Sequence, residues 1–417
     1  MSVRQVTSSR VLSARRGTAA LAGFVALAAA VTGCTSSRAN DVSAQPGADD
    51  SSSSPTPAPV SKADVRSNIR DGAKDVAVDE VVKLRAEKGS FDTVKVTIGK
   101  GKKQERLKGT MSRDKATWTS AERLEPGLLY NVKAVAVDSA GLPAKANTHF
   151  RTDDLTLDEQ TFPSIAPLEG ETVGVGMPVI VQFDVPVTDR ASIEKHLSVQ
   201  TSSNQKGSWA WLSDNEVHWR PKTYWKPGTE VTVDADINSV SAGNGIFGQE
   251  SRSTSFTVGD AMVSRINVPN HSMKVLRNGE LLRTIPISAG KDGFATRSGT
   301  KVIMEKFRTK RMDAATTGIS RDDPEYYNIE DVEYAMRVTY SGEFLHAAPW
   351  SVGSQGDENV SHGCIGMSTA DAAWLYNLSS RGDVVEVTGT DRGMEPGNGY
   401  TDWNKTFAEY KTGSALS

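Results

Sequence analysis

Two tryptophans set the frame of this chain. Trp118 is followed eight residues later by Pro126-Gly127, and Trp219 is followed eight residues later by Pro227-Gly228, so both features recur at an offset of 101 residues. That offset is about one small β-sandwich domain. Pro-Gly favours a tight turn, proline by its fixed φ and glycine by tolerating positive φ. After each turn, apolar residues take every second position. Tyr130, Val132, Ala134 and Ala136 do so in the first copy, and Val231, Val233 and Ala235 in the second. A period of two marks a strand with one face buried. Each copy closes on a further strand, around Phe150 and Phe256, and the alternation at Phe91, Thr93 and Val94–Ile98 belongs to the first copy. We therefore expect tandem β modules over residues 61–153 and 154–258. In the second, Trp209, Trp211, Tyr224 and Trp225 either fill the sandwich or present a glycan-binding surface; the area that aromatic rings bury favours filling. His149, His196 and His218 lack metal-ligand spacing and read as structural or surface residues.

What precedes the modules reads as an address and a tether. Arg4, Arg10, Arg15 and Arg16 lead into an apolar run from Ala19 to Val31, too short for a comfortable membrane span. The run ends Ala30-Val31-Thr32-Gly33-Cys34, and a small residue just before a cysteine here resembles the bacterial lipobox. Residues 1–33 are then a lipoprotein signal peptide, and lipid on Cys34 holds the chain at the membrane without a spanning helix. An ordinary signal peptide cut elsewhere is the competing reading. Residues 34–60, with Ser51-Ser52-Ser53-Ser54-Pro55-Thr56-Pro57, have the composition of a flexible linker that builds no core. The expected location is extracytoplasmic, anchored to the outer face of the membrane. The formal net charge of −3 shows no basic excess of the kind nucleic-acid binding favours.

The pattern changes at about Gly259. Met273–Arg277 and Leu281–Ile287 flank Asn278-Gly279, a strong hairpin signal because both turn residues tolerate positive φ. Further strand candidates are Lys301–Met304, Tyr334–Tyr340 and Val384–Val387. A helix follows, capped by Ser368 or Thr369 and carrying Ala372, Ala373, Leu375 and Tyr376 on its apolar side. Just before it stands Val360-Ser361-His362-Gly363-Cys364, with His346 upstream. Cysteine with histidine is the composition of a thiol nucleophile and its base, and a position before a helix is one where a thiol pKa is commonly lowered. Either histidine can be that base on composition; the nucleophile–base logic favours His346.

His346-Ala347-Ala348-Pro349-Trp350-Ser351, then fourteen residues between His346 and Ser361, then Ser361-His362-Gly363-Cys364, resembles the L,D-transpeptidase catalytic domain of the YkuD type. It is most similar to the mycobacterial and actinobacterial lipoproteins with two immunoglobulin-like domains, and the likeness runs from Cys34 to the tail around Trp403. The fold this implies is mainly β. Two immunoglobulin-like β-sandwich domains precede a β-rich catalytic domain over 259–389, which has a short helix after the cysteine and is followed by an extension over 390–417.

The resemblance implies that Cys364 is the nucleophile and His346 the general base, paired as thiolate and imidazolium, with the Ala347 carbonyl orienting the ring. It implies that His362, Gly363 and Cys364 offer backbone N–H groups as an oxyanion hole, and that Met312, Tyr327, Ser341, Trp350 and Ser361 contact substrate. The partners implied are peptidoglycan tetrapeptide stems as donor and acceptor, joined 3→3 between meso-diaminopimelate residues through a thioester, with carbapenem-type β-lactams as inhibitors. No cofactor or metal is implied. The same thioester serves an L,D-carboxypeptidase or a wall-attachment transferase, and a non-catalytic wall-binding lipoprotein is the reading from another class. One residue departs from the pattern: Gly366 stands where the family usually has Asn.

Overall fold

Both Pro-Gly turns form, with Gly127 at φ 66° and Gly228 at φ 74°. Each launches a strand whose alternate residues are buried, Leu129–Val137 in the first module and Glu230–Ala235 in the second. The computed structural model describes residues 59–99 and 105–417. The expected signal peptide, Cys34 and almost all of the linker lie outside the described residues.

In the first module, a four-stranded sheet runs in the order Asp64–Ser67, Lys83–Glu87, Thr117–Ser120, Gly109–Met111. A five-stranded sheet runs Ala73–Val76, Pro143–Thr152, Leu129–Val137, Ser90–Ile98, Glu105–Arg106. Leu84, Phe91, Trp118, Tyr130 and Phe150 belong to the core they share, and the rings of Tyr130 and Phe150 stack at 5.0 Å. The Tyr130 hydroxyl accepts the Glu125 N–H at 2.7 Å, tying the turn to the strand it starts.

The second module is again a sandwich, with four-stranded sheets built on Val179–Phe183 and Glu230–Ala235 and a small third sheet of Gln160–Thr161, Ile246–Gly248 and Ser241–Gly243. Trp209, Trp211 and Trp225 are buried and Tyr224 is half-buried, so these rings fill and cap the sandwich rather than form a glycan surface. The Trp225 indole donates to the Met177 carbonyl at 2.7 Å.

The remaining strands form two sheets. One runs Glu280–Pro286, Ser272–Arg277, Met262–Asn267, Val384–Thr388, Gly299–Val302, and the other Glu305–Asp313, Asn328–Arg337, Phe344–Ala347, Ile365–Met367. Met273, Ile285, Met336, Leu345, Met367 and Val385 pack together as their core. Asn278 (φ 51°) and Gly279 (φ 88°) make the hairpin turn as the sequence predicts. The helix Thr369–Leu378 starts at Ser368, whose hydroxyl accepts the Asp371 N–H at 3.1 Å.

Contacts between modules are dense and polar. Arg123 of the first donates to the Asn238 and Asp236 carbonyls of the second, and Ser239 donates to the Leu124 carbonyl. Arg381 forks onto Glu171 at 2.8 and 2.7 Å, joining the catalytic domain to the second module. The last residues fold back as a strap on the second module. Asp402 accepts from buried His218, Trp403 donates to the Gly176 carbonyl, and Arg220 lies over the rings of Trp403 and Tyr410.

Candidate active site

Two short buried strands bring the histidine and the cysteine together. Phe344–Ala347 and Ile365–Met367 pair in parallel, with Leu345 opposite Ile365 and His346 opposite Gly366. Cys364 is the residue that enters the second strand. Both it and His346 open into one cavity of about 290 Å³, walled also by Met312, Tyr327, Trp350, Ser361 and His362. Met312 and Tyr327 come from the long hairpin of Glu305–Asp313 and Asn328–Arg337, whose tip covers the cysteine.

The His346 ring is buried, and its Nδ1 lies 2.8 Å from the Ala347 carbonyl. A carbonyl accepts and cannot donate, so Nδ1 carries the proton and Nε2 presents a lone pair. Alanine suffices at 347 because its backbone makes this contact. Burial lowers the His346 pKa, against the smaller opposing effect of that hydrogen bond, so the ring is neutral at pH 7. Trp350, itself 55% exposed, stacks against it at 5.8 Å between ring centroids.

Burial pushes the Cys364 thiol up to about 12, outweighing the Phe344 N–H and the cations Lys301 and Arg337. Its Sγ donates to the Gly342 carbonyl at 3.6 Å. The resting pair is therefore thiol and neutral imidazole, not the thiolate–imidazolium pair expected from sequence. The reason is local. Burial dominates, and the strand Ile365–Met367 separates Cys364 from the helix, where Ser368 caps the Asp371 N–H.

The other expected site residues divide. His362 turns away from proton transfer: its Nε2 meets Glu325 at 2.7 Å, Glu325 in turn pairs with Lys291, and Phe294 and Tyr327 pack against its ring at 4.6 and 4.9 Å. Gly363 has φ 122°, a conformation L side chains rarely adopt, and its N–H is committed to Ser361 Oγ at 3.1 Å. Ser361 Oγ donates onward to the Cys364 carbonyl at 2.7 Å. Among the described residues, the amides of His362 and Cys364 carry no such commitment. Ser341 lies apart from the cysteine cavity. It lines an adjoining cavity of about 440 Å³ with Gly342, and Asn398 of the C-terminal extension accepts its N–H at 2.9 Å.

Residues 73–241 match the family model of the bacterial Ig domain, and residues 262–387 that of the L,D-transpeptidase catalytic domain. The chain is 36% identical over 349 residues to L,D-transpeptidase 2 of Mycobacterium tuberculosis (strain CDC 1551 / Oshkosh), covering 84% of each protein. The chain belongs to the L,D-transpeptidase family. It is also 33% identical over 354 residues to L,D-transpeptidase 5 of Mycobacterium tuberculosis (strain ATCC 25618 / H37Rv), covering 83% of this chain and 76% of that one. A solved L,D-transpeptidase in complex with imipenem is 40% identical and covers 55% of this chain and 99% of its own, with a TM-score of 0.49.

The position where this family member departs from its pattern has a steric reason. A Cβ on Gly366 would stand 2.9 Å from the Ala348 Cβ, while the Gly366 N–H and carbonyl both pair with Ser288, at 2.8 and 2.9 Å. The backbone is held and the space above it is taken.

Sequence reasoning missed the buried ion cluster behind the motif. The Glu343 carboxylate takes Arg297 at 2.9 Å and Lys301 on its other oxygen, and the Lys301 side chain is 1% exposed. A Cβ at Gly363 would lie 3.7 Å from Glu343, so the cluster backs directly onto the turn that presents Cys364. No spacing rule links 297, 301 and 343; the signal available was a charge, Glu343, set directly before the apolar Phe344-Leu345.

Proposed function

We propose that the chain forms 3→3 peptidoglycan cross-links by cysteine acyl transfer at the outer face of the membrane, where lipid on Cys34 would hold it. The observation that carries this reading is a thiol and a neutral imidazole, with its Nε2 lone pair available, opening into one cavity on adjacent parallel strands. His346 Nε2 takes the thiol proton as the sulfur attacks the carbonyl of the L-centre of meso-diaminopimelate in a tetrapeptide stem. The uncommitted His362 and Cys364 amides stabilise the oxyanion. The intermediate collapses, the imidazolium returns its proton to the departing amine of D-Ala, and a thioester remains. The side-chain amine of a second stem then attacks the thioester, His346 accepts its proton, and the thiol is regenerated as the new amide forms.

Met312, Tyr327 and Trp350 wall the donor, and Ser341 faces the adjoining cavity. Carbapenems acylate the same sulfur, a reading supported by the relative solved with imipenem.

The test is incubation with a tetrapeptide-bearing muropeptide followed by mass spectrometry. A cross-linked dimer with loss of D-Ala, abolished in Cys364→Ala, is the expected result. A tripeptide alone would make the protein a carboxypeptidase, and the absence of any Cys364 adduct would remove the enzyme reading.

A further inference from the structure

Charge is divided sharply between the two β modules. Residues 61–153 hold 19 Lys and Arg against 13 Asp and Glu, a net of +6, while residues 154–258 hold 7 against 14, a net of −7. Four of the first module's cations form a row. Arg106, Lys95, Lys133 and Lys145 sit on four adjacent strands of the five-stranded sheet, Glu105–Arg106, Ser90–Ile98, Leu129–Val137 and Pro143–Thr152. Lys95 lies directly opposite Lys133. Lys145 lies opposite Val135, two residues further along the same face, and Arg106 lies opposite Thr97, two residues from Lys95. Strands are about 4.8 Å apart, so the row crosses roughly 15 Å of sheet. All four cations are exposed and line a single open groove of about 690 Å³, which contains one carboxylate, Asp92.

This arrangement works against the sheet that carries it. Like charges directly opposite one another weaken strand pairing, and among the described residues none of the three lysines has a salt-bridge partner. A local rule broken without local compensation is expected at a functional surface.

We propose that this groove binds a linear polyanion, a phosphodiester-linked polymer of the cell envelope, laid across the strands. One cation per strand gives a regular linear array suited to charges repeated along a single chain. The concave groove favours a strand over a planar lipid surface, and the net −7 of the second module repels a large polyanion such as duplex nucleic acid. The source of the polymer rests on the outward location proposed above; the groove itself involves neither Cys364 nor its cavity.

The full-length chain is titrated with soluble poly(glycerol phosphate). A single-stranded oligonucleotide of equal charge and vesicles of phosphatidylglycerol in phosphatidylcholine are run in parallel, over a range of salt. The polymer is expected to bind with an affinity that falls as salt rises. The triple variant K95Q/K133Q/K145Q should lose about 30-fold in affinity and flatten the log–log salt slope by about 2, while K83Q/K88Q/K115Q, on the opposite sheet and in the turns beside it, with the same charge loss, should stay within about twofold. Muropeptide cross-linking by both triple variants should equal the parent's, which also reports an intact fold. Equal loss in both variants, no polymer binding by the parent, tighter binding of the oligonucleotide, or row-dependent binding of vesicles without binding of the polymer would each overturn the proposal.

Discussion

His346 and Cys364 both hold uncharged forms at rest, and burial is the common cause. With the thiol raised and the imidazole lowered, moving the proton from sulfur to ring is uphill in the resting site. The nucleophile is thus made as the substrate carbonyl arrives, with proton transfer and attack coupled. Iodoacetamide alkylation of Cys364 should therefore be slow at neutral pH and show no inflection between about pH 6 and 9, set against an ordinary thiol near 8.5; an inflection near neutrality would refute the assignment. The base must be unprotonated, so kcat/KM should fall as pH drops through the lowered His346 pKa, below about 6.5, and stay flat above it. His346→Gln should slow acylation by about 10²- to 10⁴-fold, read by intact-protein mass spectrometry. Gly366 yields a steric prediction. Gly366→Asn forces a Cβ against Ala348 and should cost about 1–3 kcal/mol, read as a lower thermal midpoint, with Ala348→Gly restoring part of the loss. If Gly366→Asn is neutral, the crowding argument fails.

At the scale of elements, what the sequence discloses is what local chemistry decides. The alternation of Tyr130, Val132, Ala134 and Ala136, the Asn278-Gly279 turn and the Ser368 cap each depend on residues close in the chain, and each is found where expected. The His346–Cys364 pairing was legible because a motif records it. Ile365–Met367 was not, since three residues carry no period, although that small strand sets Cys364 apart from the helix. The contact of Ser341 with Asn398, 57 residues away, has no local sign. The Glu343 cluster was invisible for the same reason, and it carries a prediction. Glu343→Gln leaves a buried Lys301 without its counter-charge and should cost about 3–5 kcal/mol, read in the urea midpoint of the catalytic domain. Lys301→Met should cost less, because Arg297 still pairs with Glu343. A cost below about 1 kcal/mol for Glu343→Gln would mean the cluster is not a paired buried charge.

Across the whole molecule, the C-terminal strap links the second β module to the catalytic domain. Its buried centre is the contact of Asp402 with His218 at 3.0 Å, with Glu216 at 2.8 Å on the other ring nitrogen and the Tyr410 hydroxyl on the carboxylate. Elsewhere along the extension, Asn404 holds Thr300 and Asn398 holds Ser341, so the same segment reaches the cavity beside Cys364. Burial alone would lower the His218 pKa, but Asp402 and Glu216 outweigh it and raise it to about 9. Burial alone would raise Asp402, but His218 and Tyr410 hold it below its ordinary value. A raised histidine contributes fully below about pH 6.5, and its contribution is lost as pH rises through about 9. A lowered carboxylate contributes fully above about pH 4, and its contribution is lost as pH falls through its depressed value. The strap should therefore be held most firmly between about pH 4 and 6.5, loosen progressively above, and gain nothing from this pair past about pH 9. Hydrogen exchange of residues 402–417 checks this directly. Asp402→Asn removes the carboxylate while keeping the shape, and should speed exchange there about tenfold or more at pH 6. The parent and the variant should then converge as pH passes 9. A gap between them that persists undiminished above that pH would show that packing of Trp403 and Tyr410, not the ion pair, holds the strap.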